Sequence, residues 1–339
     1  MKKKRLIWQL PFLALLIVGS VIIIRQQTLA PYQKDSGFIF GTVYHVTYQS
    51  SQNYQKEIEA EMKKVDQSLS AFNKTSVVSK VNNNLDIEVD SMFAEVFNIA
   101  REISKDTDGA FDVTVAPLVN IWGFGFKTDT EPTKQKIDSI RQFVGYEKVT
   151  LKNNRIVKKY PQTMLDFSAI AKGFGSYVVA RMLKEKGVKN YMVEIGGEIV
   201  ASGVNERQAP WRIGINKPKD DSLSTNNELQ NVIEESNLSM ATSGNYRNFY
   251  YKNGKKYAHT IDPKTGYPIQ HNLLSATVLA KDCAHADAYA TAFMVMGMDG
   301  AKKILERHKD MQAYLIYTDE KGDNHVWCSP GLKEKLLNP

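Results

Sequence analysis

The chain has 339 residues, 42% hydrophobic and 24% charged, an ordinary globular composition that excludes a disordered chain, a collagen-like fibre and a multi-span membrane protein. Its formal charge is +7, but residues 1–30 carry five bases and no acid, so 39 bases face 37 acids from residue 31 onward, a net of +2. A folded part so close to neutral has no basic footprint for nucleic acid, and none is expected as a partner.

Four bases, Lys2 to Arg5, precede the uncharged run Leu6 to Ile24. At ~1.5 Å per residue such a run nearly spans a ~30 Å hydrocarbon core, and the basic flank favours a start held on the cytoplasmic side. The expectation is a targeting segment over residues 1–30, with a membrane anchor at 6–24, and one folded domain over 31–339 outside the cytoplasm of a bacterial cell. A cleaved signal peptide competes, with Thr28-Leu29-Ala30 as its cut site. Ile17-Val18-Gly19-Ser20 resembles a lipoprotein signal with Ser where the lipidated Cys belongs.

Gly37 to Tyr48 alternates with Phe38, Phe40, Tyr44, Val46 and Tyr48 on one side, which predicts a strand. Ile58, Met62, Val65 and Leu69 predict a helix over 54–69, and Phe93, Val96, Phe97, Ala100 and Ile103 a second one ending near Gly109. A short helix around Ile137 and Ile140 stops at Gly145; residues 148–151 and 155–159 then pair as a hairpin, and helix returns over 169–186. The second half is mostly strand: 191–201, 211–215, 232–240, 246–252 and 273–280, with Asn253-Gly254 as a hairpin signal. Helices near 284–297 and 299–308 and a terminal hairpin, 313–317 with 325–328, complete the chain. Lys217 to Ser236 is polar and reads as a surface loop or insertion. Hairpins outnumber crossover units, so the expected class is α+β: a single domain with a mixed, largely antiparallel sheet flanked by helices. The two cysteines, Cys283 and Cys328, form no Cys-x-x-Cys pair; a disulfide and two free thiols both remain open.

Several segments could carry chemistry. Asp166 to Gly175 is a strand-to-helix turn with an acid, Lys172 and two glycines; a helix start with a lysine suits a phosphate, and an ordinary cap explains it equally. Asp287 and Thr291 stand at i and i+4 on a predicted helix, a hard-oxygen pair suited to Mg²⁺. His259 to Gly266 joins an imidazole, a carboxylate and a turn, and Gly196-Gly197 permits close backbone approach or a bulge within a strand.

Together and in this order, these segments resemble the ApbE-type flavin transferases, the FAD:protein FMN transferases. The matching stretches are Gly41 to Tyr44, Ser70 to Asn73 with Ser76 to Asn82, Thr107 to Leu118, Trp122 to Gly125, Asp166 to Gly175, Ile195 to Gly197, Ala241 to Tyr246, His259 to Gly266 and Ala286 to Thr291. The resemblance implies a Mg²⁺-dependent enzyme that splits FAD, moves FMN onto a Ser or Thr hydroxyl of an acceptor protein and releases AMP. It implies Asp287, Thr291 and the backbone carbonyl of Ala169 as metal ligands. Asp166 and Lys172 would contact the dinucleotide, and Ala110, Phe111, Asp112 and Ile261 would line its pocket. Phe40 and Phe72 stand where relatives often have Met and Tyr beside the flavin, Glu198 stands where Asp commonly follows the paired glycines, and His259 is the implied base. The flavinylation signature of acceptors has no match, since Asp108-Gly109-Ala110 lacks the hydroxyl; the chain reads as the donor enzyme. Two alternatives share these residues: a Mg²⁺-dependent FAD pyrophosphatase, with water replacing the protein hydroxyl, and a non-catalytic surface flavin-binding protein.

Overall fold

In the computed structural model, the described residues are 11–21, 30–126, 132–219, 228–246, 248–252 and 254–338. Residues 11–21 form helix α1, with Phe12, Leu13, Leu15 and Leu16 exposed. Among the described residues no helix is long and apolar enough to cross a membrane; the rest of the expected anchor, at 6–10 and 22–24, lies outside them, as does Asn253 of the expected hairpin turn.

The hairpin β1 (Tyr32–Ile39) and β2 (Thr42–Gln49) leads into helices α2 (Gln55–Leu69), α3 (Val77–Asn82), α4 (Ser91–Asp106), α5 (Ala116–Ile121) and α6 (Lys134–Arg141). A small hairpin, β3 (Val149–Lys152) and β4 (Arg155–Lys158), precedes α7 (Ala171–Glu185). Strands follow: β5 (Tyr191–Ile195), β6 (Glu198–Ser202), β7 (Trp211–Asn216), β8 (Leu229–Glu235), β9 (Leu238–Gly244), β10 (Phe249–Lys252), β11 (Lys255–Ala258) and β12 (Leu273–Leu279). The long helix α8 (Cys283–Arg307) is followed by β13 (Gln312–Thr318), β14 (Asn324–Cys328), α9 (Pro330–Lys333) and β15 (Leu336–Leu337).

Eight strands form the main sheet in the order β1-β2-β5-β6-β9-β12-β13-β14. Each neighbouring pair in it is antiparallel. The parallel component of the expected mixed sheet shrinks to an isolated bridge between Val115 and Met164. Helices α2, α4, α7 and α8 cover one face; Phe93, Phe167, Phe174 and Phe293 are buried there, each stabilising the fold by about 1.5–3 kcal/mol. The other face is covered in part by a second, three-stranded sheet, β15-β8-β7, through Trp211, Ile213, Ile215 and Ile233.

Four sequence expectations are corrected. The strand expected over 37–48 is two strands, because Phe40 (φ 52°) and Gly41 (φ 75°) both take left-handed conformations and close a two-residue turn. Gly196 (φ 65°) and Gly197 (φ 103°) likewise form the turn between β5 and β6, and no bulge within one strand. The expected strand over 232–240 divides between two sheets at Ser236-Asn237, so that part of the predicted surface loop is β8. α9 and β15 carried no recognised sequence signal. The two helices expected near 284–297 and 299–308 meet at Gly297, whose φ of 70° and ψ of −173° break the helical path of α8.

Glycine at 173 decides how the two long helices meet. A Cβ there would collide with the backbone carbonyl of Cys283 and lie 2.7 Å from Cβ of Asp287. Its absence lets the first turn of α7 press against the first turns of α8.

Candidate active site

A cleft of about 970 Å³ opens beside that helix crossing. Phe72, Ala110, Phe111, Asp112, Asp166, Ala169, Lys172, His259, Ile261, Asp287 and Thr291 all line it. Phe40 does not; its ring lies against α7, 2.7 Å from where a Cβ on Gly175 would stand. Phe72 is 63% exposed and meets Phe126 edge to face at 6.2 Å.

The charged floor is held by the two helices and the β5–β6 turn. Asp287 is 2% exposed, and one of its oxygens accepts the Gly173 backbone N–H at 2.9 Å. That N–H belongs to the first turn of α7, where amide donors lack partners within the helix. Lys172 reaches from the same turn to Glu198, with Nζ 2.7 Å from Oε1. Burial works to lower the Lys172 ammonium, but the charges of Asp287 and Glu198 outweigh it and hold Lys172 above its usual range. Burial pushes the Glu198 carboxyl up, against the pull of Lys172. The second oxygen of Glu198 is buried with no hydrogen-bond partner. Beside this trio, Thr291 Oγ1 lies 3.0 Å from Ser243 Oγ of β9, and burial raises the Cys283 thiol well above its usual range. Both cysteines are free thiols.

The two other candidate acids are organised locally. Asp166 accepts from the backbone N–H of Ser168 at 2.8 Å and from its hydroxyl at 2.5 Å; burial raises its carboxyl, and these bonds oppose the rise. Asp112 accepts from the N–H and hydroxyl of Thr114 and from the N–H of Tyr146 at 2.7 Å. Burial pushes it up to about 6 despite those three donors, so Asp112 ties the 112–114 turn to residue 146 as well as lining the cleft.

Phe124 and His259 also line the cleft, and behind them runs a ladder of aromatic rings. Phe124 stacks on Tyr250 at 5.2 Å, Tyr250 on Tyr257 at 5.6 Å and Tyr257 on Trp122 at 5.4 Å. The Trp122 indole N–H donates to the carbonyl of Gly266 at 2.8 Å, joining this ladder to the turn that follows His259. The imidazole of His259 meets Phe124 edge to face at 6.4 Å. Its Nδ1 lies 3.1 Å from the carbonyl oxygen of residue 248. A carbonyl can only accept, so Nδ1 carries the hydrogen and Nε2 keeps its lone pair. Burial lowers the His259 pKa, the carbonyl opposes that, and the charge of Lys172 lowers it further.

The site thus brings together an imidazole with a free basic nitrogen, an ammonium and two carboxylates. Among the described residues no three His, Cys, Asp or Glu side chains cluster as a metal site. Asp287 and the Thr291 hydroxyl are nevertheless hard-oxygen donors of the type Mg²⁺ takes in small number, its remaining positions filled by waters. Two carboxylates around one ammonium, with an orphaned buried oxygen on Glu198, suit an added cation, and the residues present fit one. Sequence reasoning passed over Ser243 as a partner of Thr291 and Asn248 as the partner of His259; both follow from tertiary contacts and have no local signal. Glu198 was legible only as an unusual residue after two glycines.

A sequence model of the ApbE family matches residues 40–315. The FAD:protein FMN transferase of Haemophilus influenzae is 40% identical over 330 residues, which cover 91% of this chain and 94% of that protein. That of Vibrio cholerae is 38% identical over 296 residues, covering 84% and 87%. Among solved structures, the flavin transferase ApbE from Vibrio cholerae superposes with a TM-score of 0.81 at 36% identity, covering 90% of this chain and 99% of that one. The apo flavinyl transferase ApbE of Pseudomonas stutzeri gives a TM-score of 0.80 at 30% identity, covering 91% and 97%.

Proposed function

The chain belongs to the ApbE family, and from that premise we propose that it is a FAD:protein FMN transferase, moving FMN from FAD to a Ser or Thr hydroxyl of an acceptor protein with release of AMP. The observation that carries the reading is a single cleft with a neutral, tautomer-fixed His259 on one wall and Lys172, Asp287 and Thr291 on the other.

Phosphoryl transfer depends above all on positioning and on charge stabilisation. Lys172, kept protonated by its two acidic neighbours, binds the pyrophosphate of FAD, and the 110–112 and 261 segments enclose the dinucleotide. Nε2 of His259 accepts the proton of the acceptor hydroxyl as its oxygen forms the new bond to the phosphorus of the FMN half. The bond from that phosphorus to the bridging oxygen breaks, and AMP departs with the electron pair. A lowered imidazole pKa keeps Nε2 unprotonated at neutral pH, and such a base contributes about 10²–10⁴-fold in rate. Asp287, Thr291 and the carbonyl of Ala169 would hold Mg²⁺, which neutralises pyrophosphate charge and makes the phosphorus more electrophilic. The Gly173 N–H fixes the rotamer of Asp287 for that role. The basic, apolar N-terminus supports an extracytoplasmic catalytic domain tethered through residues 6–24.

The test is to incubate the full chain with FAD, Mg²⁺ and an acceptor domain, and to look for flavin fluorescence on the denatured acceptor. Labelling that a chelator abolishes is the expected result. Release of FMN and AMP with no labelled protein would make the chain a pyrophosphatase. Tight FAD binding with no turnover, unchanged by chelator, would make it a flavin-binding protein.

A further inference from the structure

The three-stranded sheet has the order β15-β8-β7, so β7 is an edge: β8 pairs with one side of it, and no described strand pairs with the other. Arg212, Ile213, Gly214, Ile215 and Asn216 of β7 all line the catalytic cleft. Side chains of a strand alternate between its two faces, and here Ile213 and Ile215 are buried against the main sheet while Arg212 and Gly214 are exposed. Lining by five consecutive residues puts the backbone of β7, and not one face alone, along the cleft. The unpaired edge of β7 carries backbone N–H and C=O groups outside the ladder with β8, the groups an incoming strand uses.

Facing β7 is a stretch of the main sheet that the smaller sheet leaves open. Val43 is 53% exposed, and Val43, His45, Met192 and Glu194 line the same cleft. The groove between runs from Arg212 at the surface to Gly197 and Glu198 beside Lys172. At about 970 Å³ the whole cleft lies at the top of the ~300–1,000 Å³ typical of small-molecule sites. A transferase acting on a protein must admit polypeptide to the phosphorus, and this groove is continuous with that point.

We propose that the free edge of β7 docks an extended segment of the acceptor polypeptide as an added strand, delivering its hydroxyl to His259 and the bound FAD. The inference rests on the transferase reading. Main-chain bonds to β7 hold the segment without regard to its sequence, and the exposed Val43, beside the His45–Glu194 pair, meets the side chains that face the main sheet.

The test uses the full chain with FAD and Mg²⁺, and as acceptor an unmodified protein that the labelling assay above shows this chain to flavinylate. Amide hydrogen exchange is followed with and without that acceptor in a His259→Ala background, which slows turnover by about 10²–10⁴-fold. Exchange of the 211–216 amides is expected to slow about tenfold on acceptor binding. In the otherwise native chain, Val43→Glu is expected to raise the acceptor KM about tenfold, with the KM for FAD unchanged; Val43 is exposed, so the fold tolerates the change. If the acceptor is labelled normally while the 211–216 amides exchange as in the free enzyme and Val43→Glu is silent, the docking inference falls and the transferase reading stands. If FMN and AMP are released and no protein is labelled, the transferase reading fails, and this inference with it.

Discussion

The two walls of the cleft are built on different principles. Asp287, Thr291, Lys172 and Gly173 sit on α7 and α8, whose first turns are fully packed against each other and against the main sheet. His259 follows the two-stranded hairpin β10–β11, which joins the rest through stacked rings and a small separate cluster around Leu118, Ile121, Trp122 and Ile261. The charged groups Lys172 and Asp287 are thus placed by the core, whereas His259 is placed by a surface lobe. Damage to the first wall should therefore cost both chemistry and stability, and damage to the second mainly chemistry.

The largest expected effect is on the helical wall. Asp287→Ala removes the only carboxylate of the proposed cation set and strips the Gly173 N–H of its acceptor; AMP release should fall by about 10³-fold or more. Full activity in that variant would remove Asp287 from the metal site. On the other wall, His259→Ala should lower kcat by about 10²–10⁴-fold with the Kd for FAD unchanged and little loss of thermal stability. A weakened Kd with an unchanged kcat would make His259 a binding residue, and the contrast between the walls would dissolve. Glu198→Gln keeps the shape but withdraws the hydrogen-bonded counter-charge of Lys172. We expect a higher KM for FAD, because Lys172 loses the charged partner that aims it. An unchanged KM would show that Asp287 alone orients Lys172.

The smallest effect is in pH. Because the folded chain holds the His259 pKa below 6.5, the unfolded state binds more protons in the window at and below that value. Stability therefore rises with pH through the window and is lost as pH falls through it. The kcat/KM profile, which reports the free enzyme, should likewise rise with pH to a plateau as His259 loses its proton. An acid limb centred above 6.5 would contradict the environment described for the imidazole.

Helices with a clear apolar period were legible in the sequence: α2, α4 and α7 lie within a few residues of their expected limits. Sheet order was not, because pairing is a non-local choice that periodicity cannot express. The Phe40-Gly41 turn was hidden for a second reason. A bulky aromatic with a positive φ contradicts the residue preferences from which turns are read, and only the surrounding sheet and the flat backbone at Gly175 let the ring lie where it does. Phe40, which the family resemblance puts beside the flavin, packs against Gly175 of α7. Asp287 and Thr291 could be paired from spacing alone, since a helix turns them to one side. Their companions Ser243 and Glu198 could not, since each arrives from a strand or turn distant in sequence.

The missing side chain at 173 has a last consequence. A single methyl group added there, touching no substrate atom, would act as a wedge between α7 and α8, spreading Lys172 from Asp287 in one movement. The separation of these two charges thus hangs on one side chain that is not there, at a position remote from both charged ends.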